Sequence, residues 1–468
     1  MSTDVATLDT DALGGTPRVV AFRGAEALCR PYLFEIFAQV EGGTASAGLE
    51  DAIGSRATLS LEREAGKPFI FHGILSAANL VRHQGEWGLY QLHLVPRLWQ
   101  LGLTRHSRVF TNQTLPQIIE TVLQDAGLPS NSYELRLTET YLPEELVVMY
   151  AESKLDFLHR WMEREGMVYF FEHDGGADKL VIADHPSAHR ALADDPVPYR
   201  PSGGHDTSAG ACFDEFAMLR SATIGQVRLT DRDYGRPMLD VSAAADVSSR
   251  GFGEQRLHAG RFFDPSAAQR YARIRAEALR ARELTYHAVG TALHQSAGYL
   301  VELSDHGDEA LNRRYLVREA HHFGNFLHGL EADDGMRRLI RPEYDDVYRV
   351  EVRAVDADRP FRLAEETTWP RVWGYESGTV DGEAESDYAQ LDGDGRYHIT
   401  FHFDESDLAD GKRSTRVRMM QPHGGTTEGF HFPLRKGTEV IVAFLGGDPD
   451  RPVIAGVVPN AATPSPVT

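Results

Sequence analysis

Hydrophobic and polar residues alternate along much of the chain in short runs that predict β-strands. Examples are TPRVVAFRG and PYLFEIFAQVE near the N-terminus and GTEVIVAFLGG near the C-terminus. A period of two places successive side chains on opposite faces of a sheet, and Gly-rich or charged turns separate the runs. The pattern therefore predicts a mainly β protein of antiparallel strands in barrels or sandwiches.

Helices are predicted between the strands. Thr114 and Gln117 have the spacing of a capping box ahead of an apolar stripe, and Ser153 and Asp156 repeat that spacing ahead of a second helix. A third helix, rich in Ala and Arg, is predicted over about 266–284. Its composition is typical of a helix with long, solvated side chains on one face, which we favour over a nucleic-acid-binding arm.

Composition and charge exclude several classes of protein. The chain has 468 residues and a formal net charge of −21, so general binding to nucleic acid or to an anionic membrane is not expected. Its two cysteines, Cys29 and Cys212, form no CxxC pair and are expected to be buried thiols. The acidic N-terminus has no apolar core, which predicts cytoplasmic synthesis and export without a cleaved signal peptide.

Changes in composition and hydrophobic pattern along the chain predict the following domain organisation. The fold class is mainly β with inserted helices, in which two hub-type β-barrels precede a small OB-type barrel. The predicted segments are a disordered N-terminus (1–16), a hub-like region (17–365) with two related barrels (about 17–180 and 215–365) and a connecting loop (185–215), an OB-type barrel (366–460), and a polar tail (461–468).

Two acidic turns could be mistaken for metal sites. The segment Gly446–Pro452 places Gly, Asp and Pro between two β-branched runs, which favours a structural turn over a carboxylate cluster. Asp392 and Asp394 resemble half of a calcium loop, but Arg396 follows where further ligands would be needed. A β-turn is the favoured interpretation of this segment as well.

Several histidines have acidic neighbours. His159 and Glu163 lie four residues apart on a predicted helix, but no HExxH motif occurs, and a surface polar pair is favoured. The side chains of His321 and His322 are expected to point to opposite faces of a strand, which argues against joint chelation. A third candidate pair is His402 with Asp404.

Catalytic and cofactor motifs are not found. The sequence has no G-x-S-x-G elbow and no G-x-x-x-x-G-K-[ST] loop, so hydrolase and nucleotide-binding chemistry are unsupported. The acidic segment Glu163–Gly166 is interpreted as the charged solvent face and stop of a helix. We therefore predict no catalytic, cofactor-binding or metal-binding residue, and no enzyme.

Four segments, in order along the chain, resemble the VgrG family of type VI secretion spike proteins. They are LHLVPRLWQLGLTRHSRVFTNQTLPQIIETVLQDAG, YAESKLDFLHRWMEREGMVYFFEH, RPFRLAEETTWPRVWGYESGTVDG, and the pair GDGRYHITFHFD with HFPLRKGTEVIVAFLGGDPDRPVIAGVVPN. The second matches the family pattern nearly residue for residue, with Lys154 in place of the usual Asp. Further departures are Gly378–Val380, where the family often has Thr-Ala-x-Val, and Thr415, where it often has Trp.

The resemblance implies a fold similar to the contractile-phage baseplate hub and spike. It also implies a homotrimer that caps a tube of Hcp hexamers, contacts with baseplate proteins, a PAAR tip protein on a β-helical needle, and secreted effectors or their adaptor chaperones. The chain is expected to stop before that needle, with 461–468 as the start of the linker to it. Nucleic acid is not an expected partner.

The predicted function is therefore a structural spike component of a type VI secretion apparatus, which is secreted through that apparatus and delivers effectors by puncturing target envelopes. One alternative is the hub-spike protein of an extracellular contractile injection particle or a phage tail. A recruiting role for effector cargo is compatible with the spike. A cell-wall hydrolase is a further alternative that no motif supports.

Overall fold

The protein is built mainly from short β-strands, as the alternating pattern predicts. A computed structural model describes residues 5–13, 16–41, 49–63, 66–191, 196–201, 210–258, 260–329, 334–408, 413–425 and 427–466. In chain order the strands are β1 (Val5–Asp9), β2 (Arg18–Ala27), β3 (Arg30–Glu41), β4 (Arg56–Glu62), β5 (Phe69–Gln84), β6 (Trp87–Val95), β7 (Arg105–Gln113), β8 (Tyr133–Arg136), β9 (Glu144–Ser153), β10 (Val168–Glu172), β11 (Lys179–Ala183), β12 (Val197–Pro198), β13 (Phe213–Arg220), β14 (Gln226–Asp231), β15 (Val241–Asp246), β16 (Glu254–His258), β17 (Leu284–Gly290), β18 (Leu300–Ser304), β19 (Arg314–Asn325), β20 (Tyr348–Asp356), β21 (Tyr375–Val380), β22 (Ile399–Phe401), β23 (Arg418–Met419), β24 (Glu439–Phe444) and β25 (Pro452–Val457).

Five α-helices interrupt the strands. They are α1 (Leu49–Ala52), α2 (Leu115–Asp125), α3 (Lys154–Glu165), α4 (Pro265–Arg280) and α5 (Asp334–Ile340). The capping box that the sequence predicts is confirmed, because Thr114 and Gln117 exchange side-chain and backbone hydrogen bonds at the start of α2. None of the helices in the described part of the chain is long and apolar enough to cross a membrane.

The chain divides into two compact units, which do not follow chain order. The first comprises 1–99, 128–138 and 162–366, and the second comprises 100–127, 139–161 and 367–468. The limits predicted from the sequence for the hub-like region (17–365) and the OB-type barrel (366–460) rest on changes in composition along the chain and stay a prediction.

A six-stranded barrel forms the start of the first unit. Its strands follow the order β1-β4-β5-β6-β3-β2, and a pairing of Thr7 with Arg18 joins β1 back to β2. Since Val5–Asp9 is a strand in this ring, the prediction that residues 1–16 are disordered is wrong for that segment. Ala6 and Leu8 are buried on one face of β1, and this burial accounts for its order. Residues 1–4, 14 and 15 lie outside the described residues.

A half-barrel continues the same sheet. Strand β19 pairs with β2, and the order then runs β19-β20-β17-β13, while β18 pairs with β19 and with the two-residue strand β12. The two groups of strands expected in the hub-like region are therefore present, the first as a closed ring and the second as an open half-barrel. The segment expected as a loop over 185–215 contains β12 and the first residues of β13, and its residues 192–195 and 202–209 lie outside the described residues.

A buried polar chain links the barrel to the half-barrel. His322 of β19 approaches Glu26 of β2 with Nε2 2.8 Å from Oε1, and its Nδ1 lies 2.9 Å from the hydroxyl of Tyr348 on β20. Ser296 donates to the other oxygen of Glu26 at 2.7 Å. Each of these four residues is at most 5% exposed, so the hydrogen bonds between them are shielded from water.

Helix α4 and a three-stranded sheet form a separate layer of the first unit. Ala268, Ala272 and Ala276 lie along one helical face and pack with buried residues of β14 and β15 in a common core. Asp264 accepts from the backbone N–H groups of Ser266 and Ala267 and caps the helix. The expected solvated face is only partly right, because some of its arginines make ion pairs; Arg275, for example, lies 3.3 Å from Glu365.

The second unit combines a five-stranded sheet, ordered β22-β21-β24-β25-β23, with a hairpin of β7 and β9. Val109, Leu146 and Val148 of the hairpin share one core with buried residues of the five strands, which include Val380, Ile399, Phe401, Val440, Val442 and Ile454. The small barrel therefore draws part of its core from a hairpin more than two hundred residues earlier in the chain.

His173 is partly buried and packs against aromatic rings in the first unit. Its ring centroid lies 5.4 Å from those of Tyr32 and Phe71, and its Nδ1 accepts the backbone N–H of His72 at 3.0 Å. Burial, with a smaller contribution from His72, lowers the pKa of His173 from 6.5 to about 3. The folded protein therefore holds this imidazole neutral over a pH range in which an unfolded chain would protonate it.

We expect the free energy of unfolding to fall as pH decreases from about 6.5 towards 3, because the folded pKa of His173 is depressed. The contribution of His173 to the free energy of unfolding is fully present above 6.5, the pKa of a histidine in the unfolded chain. It amounts to at most about 5 kcal/mol, at about 1.4 kcal/mol for each unit by which the pKa is lowered. His173→Asn keeps an acceptor for the His72 N–H and should show a shallower loss in urea titrations between pH 7 and 4. Identical pH slopes for the two proteins would contradict this assignment.

Candidate functional site

The most specific sequence motif, YAESKLDFLHRWMEREG, lies at the junction of β9 and α3. Ser153 ends the strand, and its hydroxyl accepts the backbone N–H of Asp156 at 3.0 Å and donates to that carboxylate at 2.7 Å. The predicted cap is therefore confirmed, and it sets where the helix begins. Asp156 is exposed, but five other charged residues of the motif are buried: Glu152, Arg160, Glu163, Arg164 and Glu165.

Glu152 and Arg160 form a buried, bidentate ion pair within the second unit. Arg160 donates from Nε and Nη2 to the two carboxylate oxygens of Glu152 at 2.8 and 2.6 Å, and from Nη2 to the carbonyl of Val148 at 2.9 Å. Burial raises the pKa of Glu152, and the bonds from Arg160 oppose that rise. Sequence reasoning missed this pair, because eight residues across a strand-to-helix junction match no helical or strand spacing.

Aromatic rings surround the Arg160 guanidinium. Its Cζ lies 4.3 Å from the ring centroid of Trp369, 5.0 Å from that of Phe157 and 5.7 Å from that of Trp161. Rings placed over a desolvated cation stabilise it electrostatically. Arg160 is 0% exposed, so the pair can reach no substrate and is a packing element of the unit.

The acidic end of the motif is also buried, within the first unit. Glu163 accepts the backbone N–H of Glu366 at 3.0 Å, and Glu165 accepts the hydroxyl of Tyr271 at 2.6 Å. Glu163, Arg164 and Glu165 are each at most 6% exposed. The expectation of a charged solvent face is therefore wrong, because neighbouring elements cover these residues and supply their hydrogen-bond partners.

Gly166 ends helix α3 at a position that needs glycine. Its φ is +72°, and a Cβ there would meet Ile274 at 3.0 Å and the side chain of Arg362 at 3.2 Å. Arg362 also donates to the Gly166 carbonyl and, at 2.7 Å, to that of Asp184. The predicted helix stop is confirmed.

The two acidic turns have structural roles. Asp392 accepts the backbone N–H groups of Asp394 and Arg396 at 3.0 and 2.9 Å, which confirms a turn. In the second turn Asp448 accepts the backbone N–H of Asp450 at 3.0 Å, while Asp450 itself accepts that of Val148 in β9 at 2.6 Å. The second contact is long-range, and no local pattern indicates it.

The histidine candidates do not come together. His159 is only 6% exposed, so the predicted surface pair with Glu163 is wrong. His321 and His322 do face opposite sides of β19: Nε2 of His321 lies 2.7 Å from Glu319, whereas His322 belongs to the buried chain with Glu26. The bond with His321 and the cation of Arg353 lower the pKa of Glu319 to about 2.

His402 and Asp404 likewise serve different neighbours. His402 Nε2 lies 2.8 Å from the Thr379 hydroxyl, and Asp404 accepts the backbone N–H of Val109 in β7 at 3.0 Å. Within the described ranges, no group of three His, Cys, Asp or Glu residues is arranged to hold a metal ion. Both cysteines are buried and free, as expected, and burial raises the pKa of Cys29 to about 12.

Five aromatic side chains of the second unit are exposed in the described part of the chain. Trp373 is 85% exposed, and Phe430 and Phe432 are 54% and 63% exposed with near-parallel rings 6.1 Å apart. Tyr375 and Tyr388 are also more than half exposed. Exposed apolar side chains that lie together are typical of a surface that another molecule covers, and Phe430 with Phe432 is such a pair.

Two sequence families match this architecture. The family described as phage tail baseplate hub (GPD) matches residues 25–326, which is more than half of the chain. The family described as type VI secretion system/phage-baseplate injector OB domain matches residues 391–458. The fold is therefore that of a baseplate hub followed by an injector OB domain.

Individual relatives define the family further. The chain is 31% identical to two Pseudomonas aeruginosa spike proteins of type VI secretion, VgrG1b and VgrG1a, over 94% of its length in each comparison. It spans 58% of the first and 67% of the second. It is also 30% identical to an actin cross-linking toxin of Vibrio cholerae, VgrG1, of which it spans 43%. The chain belongs to the VgrG family.

One solved structure has the same fold over nearly the whole chain. It is an Escherichia coli component of the type VI secretion system, described as structurally similar to the T4 bacteriophage tail proteins gp27 and gp5. It superposes with a TM-score of 0.69 at 20% identity and covers 97% of this chain and 100% of its own.

We expect Arg160→Ala to destabilise the protein by about 3–5 kcal/mol, because it leaves the Glu152 carboxylate buried and unpaired. The matched control is Arg314→Ala, which breaks an ion pair whose members are 61% and 41% exposed and should cost about 1 kcal/mol or less. Chemical denaturation measures both. Replacing both partners by apolar residues, as in Glu152→Leu with Arg160→Met, should recover part of the loss. Equal destabilisation by the two Arg→Ala changes would show that the buried pair has no special role.

Proposed function

We propose that this chain forms the body of a type VI secretion spike. Three copies form a collar on the end of a tube of Hcp hexamers and contact the baseplate. The OB-type barrel leads towards a needle that a PAAR protein tips, and the assembly carries effectors, directly or through adaptor chaperones, into the target. The protein is assembled in the cytoplasm and leaves through the apparatus.

The observation that carries this proposal is the order of the two matched families along one chain. A baseplate-hub region precedes an injector OB domain, and the chain is 31% identical to two spike relatives over 94% of its length. Because the chain spans 58% to 67% of those relatives, the needle and its tip protein are inferred from the family. The identity to VgrG1a and VgrG1b, which are type VI secretion spike proteins, favours a type VI spike over a phage tail hub.

The proposed role is structural rather than catalytic. The acidic residues that could suggest catalysis are engaged with buried neighbours: Glu152 with Arg160, Glu163 with a backbone N–H, and Glu165 with Tyr271. The Vibrio cholerae relative is named a toxin, but this chain spans only 43% of it. An enzymatic module in such a relative is therefore compatible with a non-enzymatic spike body.

The exposed aromatic side chains of the second unit support self-assembly. In an isolated chain, Trp373, Phe430 and Phe432 expose apolar area to water, which is unfavourable. An interface between copies would bury them. Symmetric closure of three identical surfaces would cover the same residues in each copy.

We expect a trimer of three 52.0 kDa chains, about 156 kDa, in light scattering after size exclusion. Phe432→Glu combined with Trp373→Glu should shift the mass towards the monomer, because two charges would be desolvated at each interface. Ala384→Glu is the control, since it adds charge at an exposed, non-aromatic position of the same unit.

The same measurement is then made on a longer chain that also carries the family's needle. If that longer chain is a monomer, the proposed spike is wrong. A trimer that the aromatic exchanges leave unchanged would retain the spike but place its interface elsewhere.

A further inference from the structure

Two strands of the first unit have a free edge, and they lie at opposite ends of one continuous run of strands. The run has the order β5-β6-β3-β2-β19-β20-β17-β13. Strand β4 pairs with β5 only as far as Ile74, so residues 76–81 of β5 lie beside β6 alone among the described strands. At the other end, β13 pairs with β17 along its length. In the described part of the chain, the second edge of β13 is contacted only at Phe213.

These free edges lack the features that usually protect an exposed strand. Charged side chains and proline commonly keep an edge strand from pairing with another chain. Residues 216–219 read FAML and residues 76–81 read SAANLV, without a charge or a proline. Met218 and Leu219 are 54% and 62% exposed, and as successive residues they lie on opposite faces of β13. The strand therefore exposes apolar area on both faces beside a free backbone edge.

Strand β13 is held in place by the rest of the half-barrel. It is in register with β17 from Phe213 to Arg220, with one irregularity near its start. The ring of Phe216 lies 5.4 Å from that of Tyr315 and 5.9 Å from that of Tyr286, measured between centroids. A strand fixed on one side presents its other edge in the extended geometry that strand addition requires.

The direction of the strands allows the two free edges to pair between copies. Every neighbouring pair in the run of eight strands is antiparallel, so β5 and β13 run in opposite directions. In a ring of copies related by rotation, β13 of one copy therefore meets β5 of the next as an antiparallel pair. Pairing of β13 with itself about a two-fold axis would leave the edge of β5 open, whereas head-to-tail pairing covers both edges.

The side chains on one face of the two edges are also compatible. Met218 lies opposite Tyr286 in register, and Leu80 lies opposite Tyr90; both tyrosines are buried. Ala78 lies two residues before Leu80, on the same face. Met218, Ala78 and Leu80 are therefore all on the core face of the sheet. Pairing of the edges would place the large Met218 beside the small Ala78 and cover apolar area in both copies.

We propose that the free edge of β13 in one copy pairs with residues 76–81 of β5 in the next copy, so that three copies join their sheets into one closed ring. This inference rests on the proposed trimer and names the contact that the first unit makes in it. Backbone hydrogen bonds then connect the copies, and the side chains beside them fix the register.

Cross-linking between copies tests this pairing. Two forms of the chain with different affinity tags are co-expressed, one with Met218→Cys and the other with Ala78→Cys or Leu80→Cys. Under mild oxidation we expect a disulfide-linked product of two chains, about 2 × 52.0 = 104 kDa, because facing Cβ atoms of paired strands lie about 4.5–5.5 Å apart. Purification through one tag and detection of the other show that the link joins two copies.

Leu33→Cys in place of Met218→Cys is the matched control. Leu33 is 42% exposed on β3, and β3 has a strand on each side, so a strand of another copy cannot pair beside it. This control should give no more linked product than the unmodified chain, in which Cys29 and Cys212 are buried.

A charged substitution at the edge gives a second test. Met218→Lys should shift the mass in light scattering towards the monomer, while Leu33→Lys leaves it unchanged. In the unmodified trimer, the amides of residues 76–81 should exchange hydrogen about tenfold or more slowly than in Met218→Lys. Strand β5 is six strands away from β13 in the same chain, so this protection reports contact with another copy.

The possible outcomes separate this inference from the proposed function. A trimer without core-face links, in which residues 76–81 exchange as fast as in Met218→Lys, would overturn the strand pairing and leave the spike in place. A dimer linked through Leu219→Cys alone would overturn it in favour of β13 pairing with itself. If neither this chain nor the longer chain with the needle forms a trimer, both the pairing and the proposed function are wrong.

Discussion

The pairing of β2 with β19 is the constraint on which the first unit depends. One edge of β2 pairs with β3, and its other edge is divided, since Arg18 pairs with β1 while Ala21–Ala27 pair with β19. Unpaired backbone groups inside a sheet are costly, so this edge must be filled by both partners together. The two partners share this edge of β2, so the barrel and the half-barrel form one continuous hydrogen-bonded sheet.

Buried charge is the second theme of the structure. Glu152 with Arg160, Glu26 with His322, and Glu165 with Tyr271 each remove ionisable groups from water and give them specific partners. Such groups add little net stability, but each has few alternative arrangements that satisfy it, and a misplaced element would leave it unpaired. In a protein of many short, similar strands, these pairs favour one arrangement over its neighbours.

The second unit leaves aromatic side chains exposed, among them Trp373, Phe430 and Phe432. Apolar area of this kind favours burial in a permanent interface between copies, and the proposed trimer would make that use of it.

The sequence by itself determined the local features. Alternation predicted the strands, the Thr114 and Ser153 caps and the Gly166 stop marked helix boundaries, and four motifs identified the family. Only the tertiary structure decided that Glu163 and Glu165 are buried, that Val5–Asp9 completes a barrel, and that the hairpin of β7 and β9 shares the core of the small barrel. The reason is that periodicity and capping depend on neighbours in sequence, whereas burial and strand partners depend on contacts between segments that may be hundreds of residues apart.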